Sequence, residues 1–125
     1  IFFLVREVKT LNTLIINITF FSSEILNTIH SINSEIKLNK LVIGKFRFLP
    51  IILSNKIEVL DFEKIDFIEA FNINYCFANR ETINLLKSKG KKVNVWTVNE
   101  KQTAKSLISF GADGIITDDP INIIQ

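Results

Sequence analysis

The stretch VNVWTVNEKQTAKSLISFGADGIITDDP, residues 93–120, contains the clearest alternation of strand and helix in this sequence. β-Branched residues in the segment that ends near Trp96 predict a strand, and Asn99 is placed to cap the helix that follows. Gly111 is expected to end that helix, and residues 113–118 predict a second strand. Two strands joined by one helix over so few residues indicate parallel pairing through a right-handed crossover.

The same alternation extends along most of the chain. Residues 47–65 are the exception, and we expect a loop or a short helix there. The opening residues 1–12 are expected to lie inside a helix. Five βα units fit either an open doubly wound sheet or part of a (β/α)8 barrel, and the lack of a G-x-G-x-x-G pattern disfavours a dinucleotide-binding sheet. Strands are predicted at residues 13–21, 40–46, 66–73, 92–98 and 113–118, with helix caps at Ser22 or Ser23, Asn79, Asn99 and Asp119.

Composition excludes several classes of function. The chain has 125 residues, 47% of them hydrophobic, and a net charge of only +2 from interspersed charges, so no basic surface for nucleic acid is predicted. The single cysteine, Cys76, excludes an internal disulfide and a cysteine-based zinc cluster. The apolar run at residues 1–5 is too short to span a membrane. Because the chain lacks methionine, we expect it to be the C-terminal part of a longer protein. A membrane association would then come only through an upstream segment, and the localisation stays open.

Two motifs in order carry a resemblance to a known family. Gly90, the Trp-Thr-Val-Asn run at 96–99 and the segment 111–120 resemble the C-terminal end of the glycerophosphodiester phosphodiesterases. Ala112 stands where that family often has valine. Further back, Phe21 and Leu26 match the spacing of a family strand and helix, although Phe20 replaces the usual serine.

The resemblance implies a fold and a reaction. It predicts that residues 1–125 form roughly the last five βα units of a (β/α)8 barrel whose N-terminal half is absent. The complete enzyme would hydrolyse a glycerophosphodiester to glycerol 3-phosphate and an alcohol, with a divalent cation, Ca²⁺ or Mg²⁺, and two histidines as general base and acid. The His-Arg-Gly and Glu-x-Asp motifs of the family have no match here. This chain is therefore expected to lack the catalytic residues, to bind no metal by itself and to be inactive alone.

The candidate site residues are aromatic. Strand alternation places Trp96 on the face that would point into the barrel near its C-terminal mouth, and the resemblance implies that it lines the substrate pocket. By the same resemblance Phe21 is a second substrate-binding residue. Core packing is the alternative for Trp96.

One acidic pair, the histidine and the cysteine have simpler interpretations. Asp118 and Asp119 are expected to make a structural hydrogen bond and a helix cap rather than to bind a metal. His30 is predicted on the surface near a helix C-terminus, and Cys76 is predicted to be a buried small hydrophobe.

Two alternatives to the enzyme stay open. One is a truncated relative without catalysis, and the other is an unrelated phosphate-binding βα barrel, although residues 96–100 offer no glycine-rich phosphate loop. The expected partner is a small glycerophosphodiester. Because an incomplete barrel leaves strand edges at 13–21 and 113–118 unpaired, we also expect the chain to self-associate.

Overall fold

A computed structural model of the chain describes residues 3–10, 13–42 and 64–124. Over these residues an initial pair of strands is followed by strands and helices that alternate, apart from the third and fourth strands, which are separated by residues 43–63 outside the described part. A single turn of 3-10 helix, Tyr75–Phe77, follows the fourth strand. The elements in order are β1 Phe3–Thr10, β2 Thr13–Phe20, α1 Ser23–Ile32, β3 Lys37–Val42, β4 Ile68–Asn74, α2 Arg80–Ser88, β5 Lys92–Trp96, α3 Lys101–Ser109, β6 Gly114–Ile115 and α4 Pro120–Ile124.

The described strands form one sheet in sequence order, β1-β2-β3-β4-β5-β6. β1 is antiparallel to β2, and the strands from β2 to β6 are all parallel. Parallel neighbours in sequence order, with α1, α2 and α3 connecting β2 to β3, β4 to β5 and β5 to β6, are the arrangement of a (β/α)8 barrel wall. Five parallel strands were expected, and the structure confirms this number and the fold class.

The helices cover one face of the sheet. α1, α2 and α3 contribute Leu26, Ile83, Leu86, Ala104 and Leu107 to a single apolar cluster, which contains Phe71, Ile73, Val93 and Val95 from β4 and β5. Alternate residues of the same strands, Asn72 and Asn94, point to the other face. A helix layer on one face, with polar residues on the opposite face, distinguishes a barrel wall from a doubly wound sheet.

Two expectations about the chain's edges are wrong. Residues 3–10 form a strand rather than a helix, because they pair along the length of β2, from Phe3 opposite Thr19 to Thr10 opposite Thr13. For the same reason β2 is not an exposed edge: β1 occupies that position. The edges of the described sheet are β1 and β6.

Several boundaries also differ from expectation. β3 begins three residues earlier than predicted, and the predicted residues 43–46 lie outside the described part, as does most of the irregular segment 47–65. β6 is only Gly114–Ile115, although Ile116 still donates its N–H to Val95 O at 2.8 Å. β4 begins at Ile68 because residues 64–67 form a turn.

Most of the helix ends follow the predicted chemistry. Ser22 and Asn79 accept hydrogen bonds from the first turns of α1 and α2. Gly90 and Gly111 adopt φ of 72° and 103° just beyond α2 and α3, the left-handed conformation that glycine adopts with least strain. Asn99 is the exception, since α3 begins at Lys101 and its N-cap position is Glu100.

Ion pairs join the amino ends of three parallel strands. Glu69 in β4 accepts hydrogen bonds from Lys37 of β3 at 3.2 Å and from Lys92 of β5 at 2.8 Å. The bond from Lys92 is the main reason that the pKa of Glu69 lies below its ordinary value. This end of the sheet is therefore held by structural charges, which leaves the carboxyl end as the candidate for chemistry. Among the helices in the described ranges, none is long and apolar enough to cross a membrane.

Candidate functional site

Trp96 lies at the carboxyl end of β5, where barrel sites are built. Its side chain is half-buried, and its indole N–H donates to the backbone O of Asn72 on β4 at 2.9 Å. The Trp96–Thr97 peptide bond is cis. Because the only hydrogen-bond donor of the indole is already satisfied, the remaining surface of this half-buried ring is apolar.

Phe21 lies just past the carboxyl end of β2, so it belongs to the same end of the sheet as Trp96. Its side chain is also half-buried. β3 and β4 lie between the two strands, which corresponds to ~14 Å at the usual spacing of neighbouring strands. The two predicted substrate-binding residues therefore occupy well-separated positions along the mouth of the barrel wall.

A buried lysine fixes the loop that carries Phe21. Lys40 in β3 is only 1% exposed, and its Nζ donates to the backbone O of Phe21 at 2.8 Å and to Ser23 Oγ at 2.9 Å. Burial lowers the pKa of Lys40. The sequence analysis missed this residue, since a lysine inside a strand usually signals an exposed edge.

A second missed feature is a polar ladder that crosses the inner face of the sheet. Asn94 Nδ2 donates to Asn72 Oδ1 at 2.8 Å, and Asn72 Nδ2 donates to Thr19 Oγ1 at 3.2 Å. Gly114 of β6 lies beside Asn94, because a Cβ added there would stand 2.5 Å from Asn94 Oδ1. Asparagine is uncommon within strands, so Asn72 and Asn94 were the available signal in the sequence.

The acidic pair at the end of β6 has structural partners. Asp118 Oδ2 accepts from Asn99 Nδ2 at 3.0 Å, and Asp119 Oδ1 accepts from the backbone N–H of Asn122 at 3.2 Å. The predicted structural hydrogen bond and helix cap are both confirmed. Asn99 was wrongly predicted as a helix cap, because its amide bonds to the loop after β6 instead.

Asp113 is another acidic residue with a structural role. Its carboxylate pairs with Lys87 and accepts the backbone N–H of Val93 at 2.8 Å. Burial tends to raise the pKa of Asp113, but the lysine and the backbone donor outweigh it, so the pKa lies below the ordinary value. Asp113 therefore joins α2 and the start of β5.

The histidine and the cysteine lie on opposite ends of the sheet. His30 in the last turn of α1 stacks on Phe67, with ring centroids 4.5 Å apart. Phe67 immediately precedes β4, so His30 is at the end opposite Trp96. Cys76 was expected to be buried, but it is exposed in the 3-10 turn after β4, where the backbone leaves the sheet. A hydrogen bond to Cys76 is the main cause that raises the pKa of the neighbouring Tyr75.

The described residues offer no cation site. Within residues 3–10, 13–42 and 64–124, no group of three or more His, Cys, Asp or Glu side chains is arranged to hold a metal ion. Each acidic side chain described above at the carboxyl end already has a structural partner. We therefore derive no catalytic step through a metal from these residues.

The sequence of this chain matches a known protein family. The sequence model of the Glycerophosphoryl diester phosphodiesterase family matches residues 3–122, and the chain belongs to that family. The YhdW protein of Bacillus subtilis strain 168 is 39% identical over 59 residues, which are 47% of this chain and 24% of that protein. A glycerophosphodiester phosphodiesterase of Caldanaerobacter subterraneus subsp. tengcongensis is 37% identical over 59 residues, 46% of this chain and 24% of that protein.

A solved structure extends the likeness over more of the fold. A phosphodiesterase of Oleispira antarctica, solved in complex with the product sn-glycerol-3-phosphate, superposes with a TM-score of 0.69 at 23% identity. The match covers 86% of this chain and 40% of that protein. The chain thus spans well under half of the solved relative, and its matched segment spans about a quarter of the curated ones.

Proposed function

We propose that this chain is the C-terminal portion of a glycerophosphodiester phosphodiesterase and forms part of the wall of its substrate pocket. The complete enzyme would add water to the phosphorus, break the bond to the alcohol oxygen and release glycerol 3-phosphate. Family membership over residues 3–122 supports the reaction class. The observation that carries the proposal is the position of Trp96, half-exposed at the carboxyl end of β5 with its N–H already bonded.

In this proposal the chain binds substrate and does not perform the chemistry. Trp96 and Phe21 contribute apolar surface to the glycerol side of the pocket, while two histidines and the ligands of a Ca²⁺ or Mg²⁺ ion belong to the preceding units of the barrel. This assignment of the catalytic groups to other units rests on the His-Arg-Gly and Glu-x-Asp motifs, which have no match in this sequence. The isolated chain is then inactive toward glycerophosphodiesters.

Trp96 is the only tryptophan in these 125 residues, so the fluorescence of this chain reports on this site alone, and in the protein from the complete coding region any other tryptophan is first replaced by phenylalanine. We expect sn-glycerol 3-phosphate to change that fluorescence saturably, and glycerol or inorganic phosphate at equal concentration to have much weaker effects. The isolated chain should show no release of glycerol 3-phosphate from glycerophosphocholine, with or without Ca²⁺ or Mg²⁺. Metal-dependent turnover above a no-protein control would contradict the proposal that the catalytic groups lie outside this chain. In the protein from the complete coding region, no change of Trp96 fluorescence with sn-glycerol 3-phosphate would contradict the proposal that Trp96 lines the pocket.

A relative that binds without catalysis is the second candidate, because the His-Arg-Gly and Glu-x-Asp motifs have no match in this sequence. The coding region upstream discriminates the two. A His-Arg-Gly motif and a Glu-x-Asp motif there would decide for the enzyme. Binding of sn-glycerol 3-phosphate by the complete product without hydrolysis would decide for the non-catalytic relative.

A further inference from the structure

Two loops meet beside Trp96 through one side chain. Asn99, in the loop after β5, accepts hydrogen bonds at Oδ1 from the backbone N–H of Asp118 and from Thr117 Oγ1, each at 3.0 Å. Its Nδ2 donates to Asp118 Oδ2, also at 3.0 Å. Asn99 therefore uses both ends of its amide on the loop after β6, and we call this set of three residues the loop clamp.

The loop clamp continues the pairing of the two strands beyond their ends. Ile116 N–H donates to Val95 O at 2.8 Å, and Val98 N–H donates to Ile116 O at 3.0 Å. Trp96 lies between these two bonds in the chain. On its other side the indole N–H is bonded to Asn72 of β4. The ring is thus held from the β4 side by its own N–H and from the β6 side through the backbone that the loop clamp fixes.

We propose that Asn99 is a positioning residue that sets the orientation of Trp96 at the pocket, and not a ligand or a helix cap. The proposal rests on the proposed function for the identity of the ligand, but the orientation of the ring is measurable without one. Asn99 is suited to this role because its short amide presents two N–H donors and a carbonyl acceptor on the same planar group. The carboxylate of Asp118 needs the N–H donor of this amide, while the Thr117 hydroxyl and the backbone N–H of Asp118 need its carbonyl acceptor.

The donor and acceptor pattern defines a set of variants. Asn99→Asp keeps the shape but puts a carboxylate against the carboxylate of Asp118. Asp118→Asn alone is mild, because the new amide can turn its oxygen toward Asn99. The double variant Asn99→Asp with Asp118→Asn restores every hydrogen bond with the roles exchanged. Asp119→Asn is the matched control, since it makes the same chemical change on the same loop without touching Asn99 and remains an adequate helix cap.

Acrylamide quenching of Trp96 fluorescence is the first readout, and the Kd of sn-glycerol 3-phosphate is the second. We expect Asn99→Asp to increase the quenching constant and to raise the Kd about fivefold, the factor that corresponds to two like charges ~4 Å apart in water. The double variant should return both values to within about twofold of wild type, with Asp118→Asn and Asp119→Asn unchanged on the same scale.

The two readouts separate the two proposals. If wild type binds no ligand but quenching still follows the pattern, the proposed function fails and the positioning role stands. Quenching that is the same in Asn99→Asp and wild type overturns the positioning role. Equal damage in the single and double variants, alongside a lowered urea midpoint in both, also overturns it, because the restored hydrogen bond between residues 99 and 118 would then have failed to restore the ring.

Discussion

Gly114→Ala should destabilise the chain through one neighbour, Asn94. A Cβ at residue 114 would lie 2.5 Å from Asn94 Oδ1 and 3.4 Å from Asn94 Cγ. The amide cannot move away freely, because its Nδ2 is bonded to Asn72 Oδ1 at 2.8 Å and that residue is bonded to Thr19. Gly114 does not have a positive φ, so the substitution adds a contact without adding backbone strain.

The expected magnitude follows from the ladder. Displacing Asn94 loses a hydrogen bond that contributes ~1 kcal/mol, and crowding the packed face costs at least another ~1 kcal/mol. Gly114→Ala should therefore lower the free energy of unfolding by ~2 kcal/mol. In the Asn94→Ala background the amide is absent and the added methyl has room, so the same substitution should cost less than ~0.5 kcal/mol.

Urea unfolding followed by Trp96 fluorescence measures this double-mutant cycle, at one fixed protein concentration. Gly90→Ala is a useful comparison, because a Cβ there meets nothing within 4 Å and the cost comes only from its φ of 72°. Its cost should be the same with or without Asn94. If Gly114→Ala costs the same in both backgrounds, the contact with Asn94 is not what requires glycine, and the ladder argument is refuted.

Three further predictions follow from the site and the edges. Asp113→Asn should lower the free energy of unfolding by ~1 kcal/mol at pH 7. Because folding lowers the pKa of Asp113, this difference from wild type should shrink as the pH falls below about 4. Urea midpoints measured over a pH series test this, and a difference that stays constant would contradict it. Trp96→Ala in the protein from the complete coding region should reduce kcat/KM for a glycerophosphodiester while circular dichroism shows a folded protein, and loss of folding without a separable kinetic effect would favour a core role. The isolated chain should self-associate at micromolar concentration, since β6 is an edge of the described sheet and Ile121 and Ile124 of α4 are 67% and 83% exposed, and sedimentation as a cooperatively unfolding monomer would contradict this.

Local chemistry was predictable from the sequence. The glycines at 90 and 111 and the caps at Ser22, Asn79 and Asp119 depend on a few neighbouring residues, so the sequence suffices to locate them. The parallel order of β2 to β6 was predictable for a related reason. Short connections through a helix leave few topologies to choose from.

Features that depend on distant partners were not predictable in the same way. Asn99 is a residue type that often caps helices, but its side-chain amide is hydrogen-bonded to Asp118, nineteen residues further along the chain. Residues 3–10 contain an apolar run that suits either a helix or a strand, and only pairing with β2 decides between them. Lys40 can be buried because two oxygens between the end of β2 and the start of α1, seventeen to nineteen residues earlier in the chain, accept its N–H groups, and no local sequence pattern indicates this.

The motif that carries the family resemblance consists largely of residues that satisfy one another. Asn99, Thr117 and Asp118 form the loop clamp, Asp113 fixes the start of β5, and Gly114 makes room for the ladder. These contacts hold the loops together and do not require that the barrel catalyses a reaction. The presence of the motif therefore identifies the fold and family of this chain, whereas hydrolysis has to be decided by groups that can bind a cation and move a proton. Trp96 differs from these residues in having a half-buried apolar ring at the carboxyl end of β5, so we expect it to be the position where a change alters ligand binding most, at the cost of one hydrogen bond to Asn72.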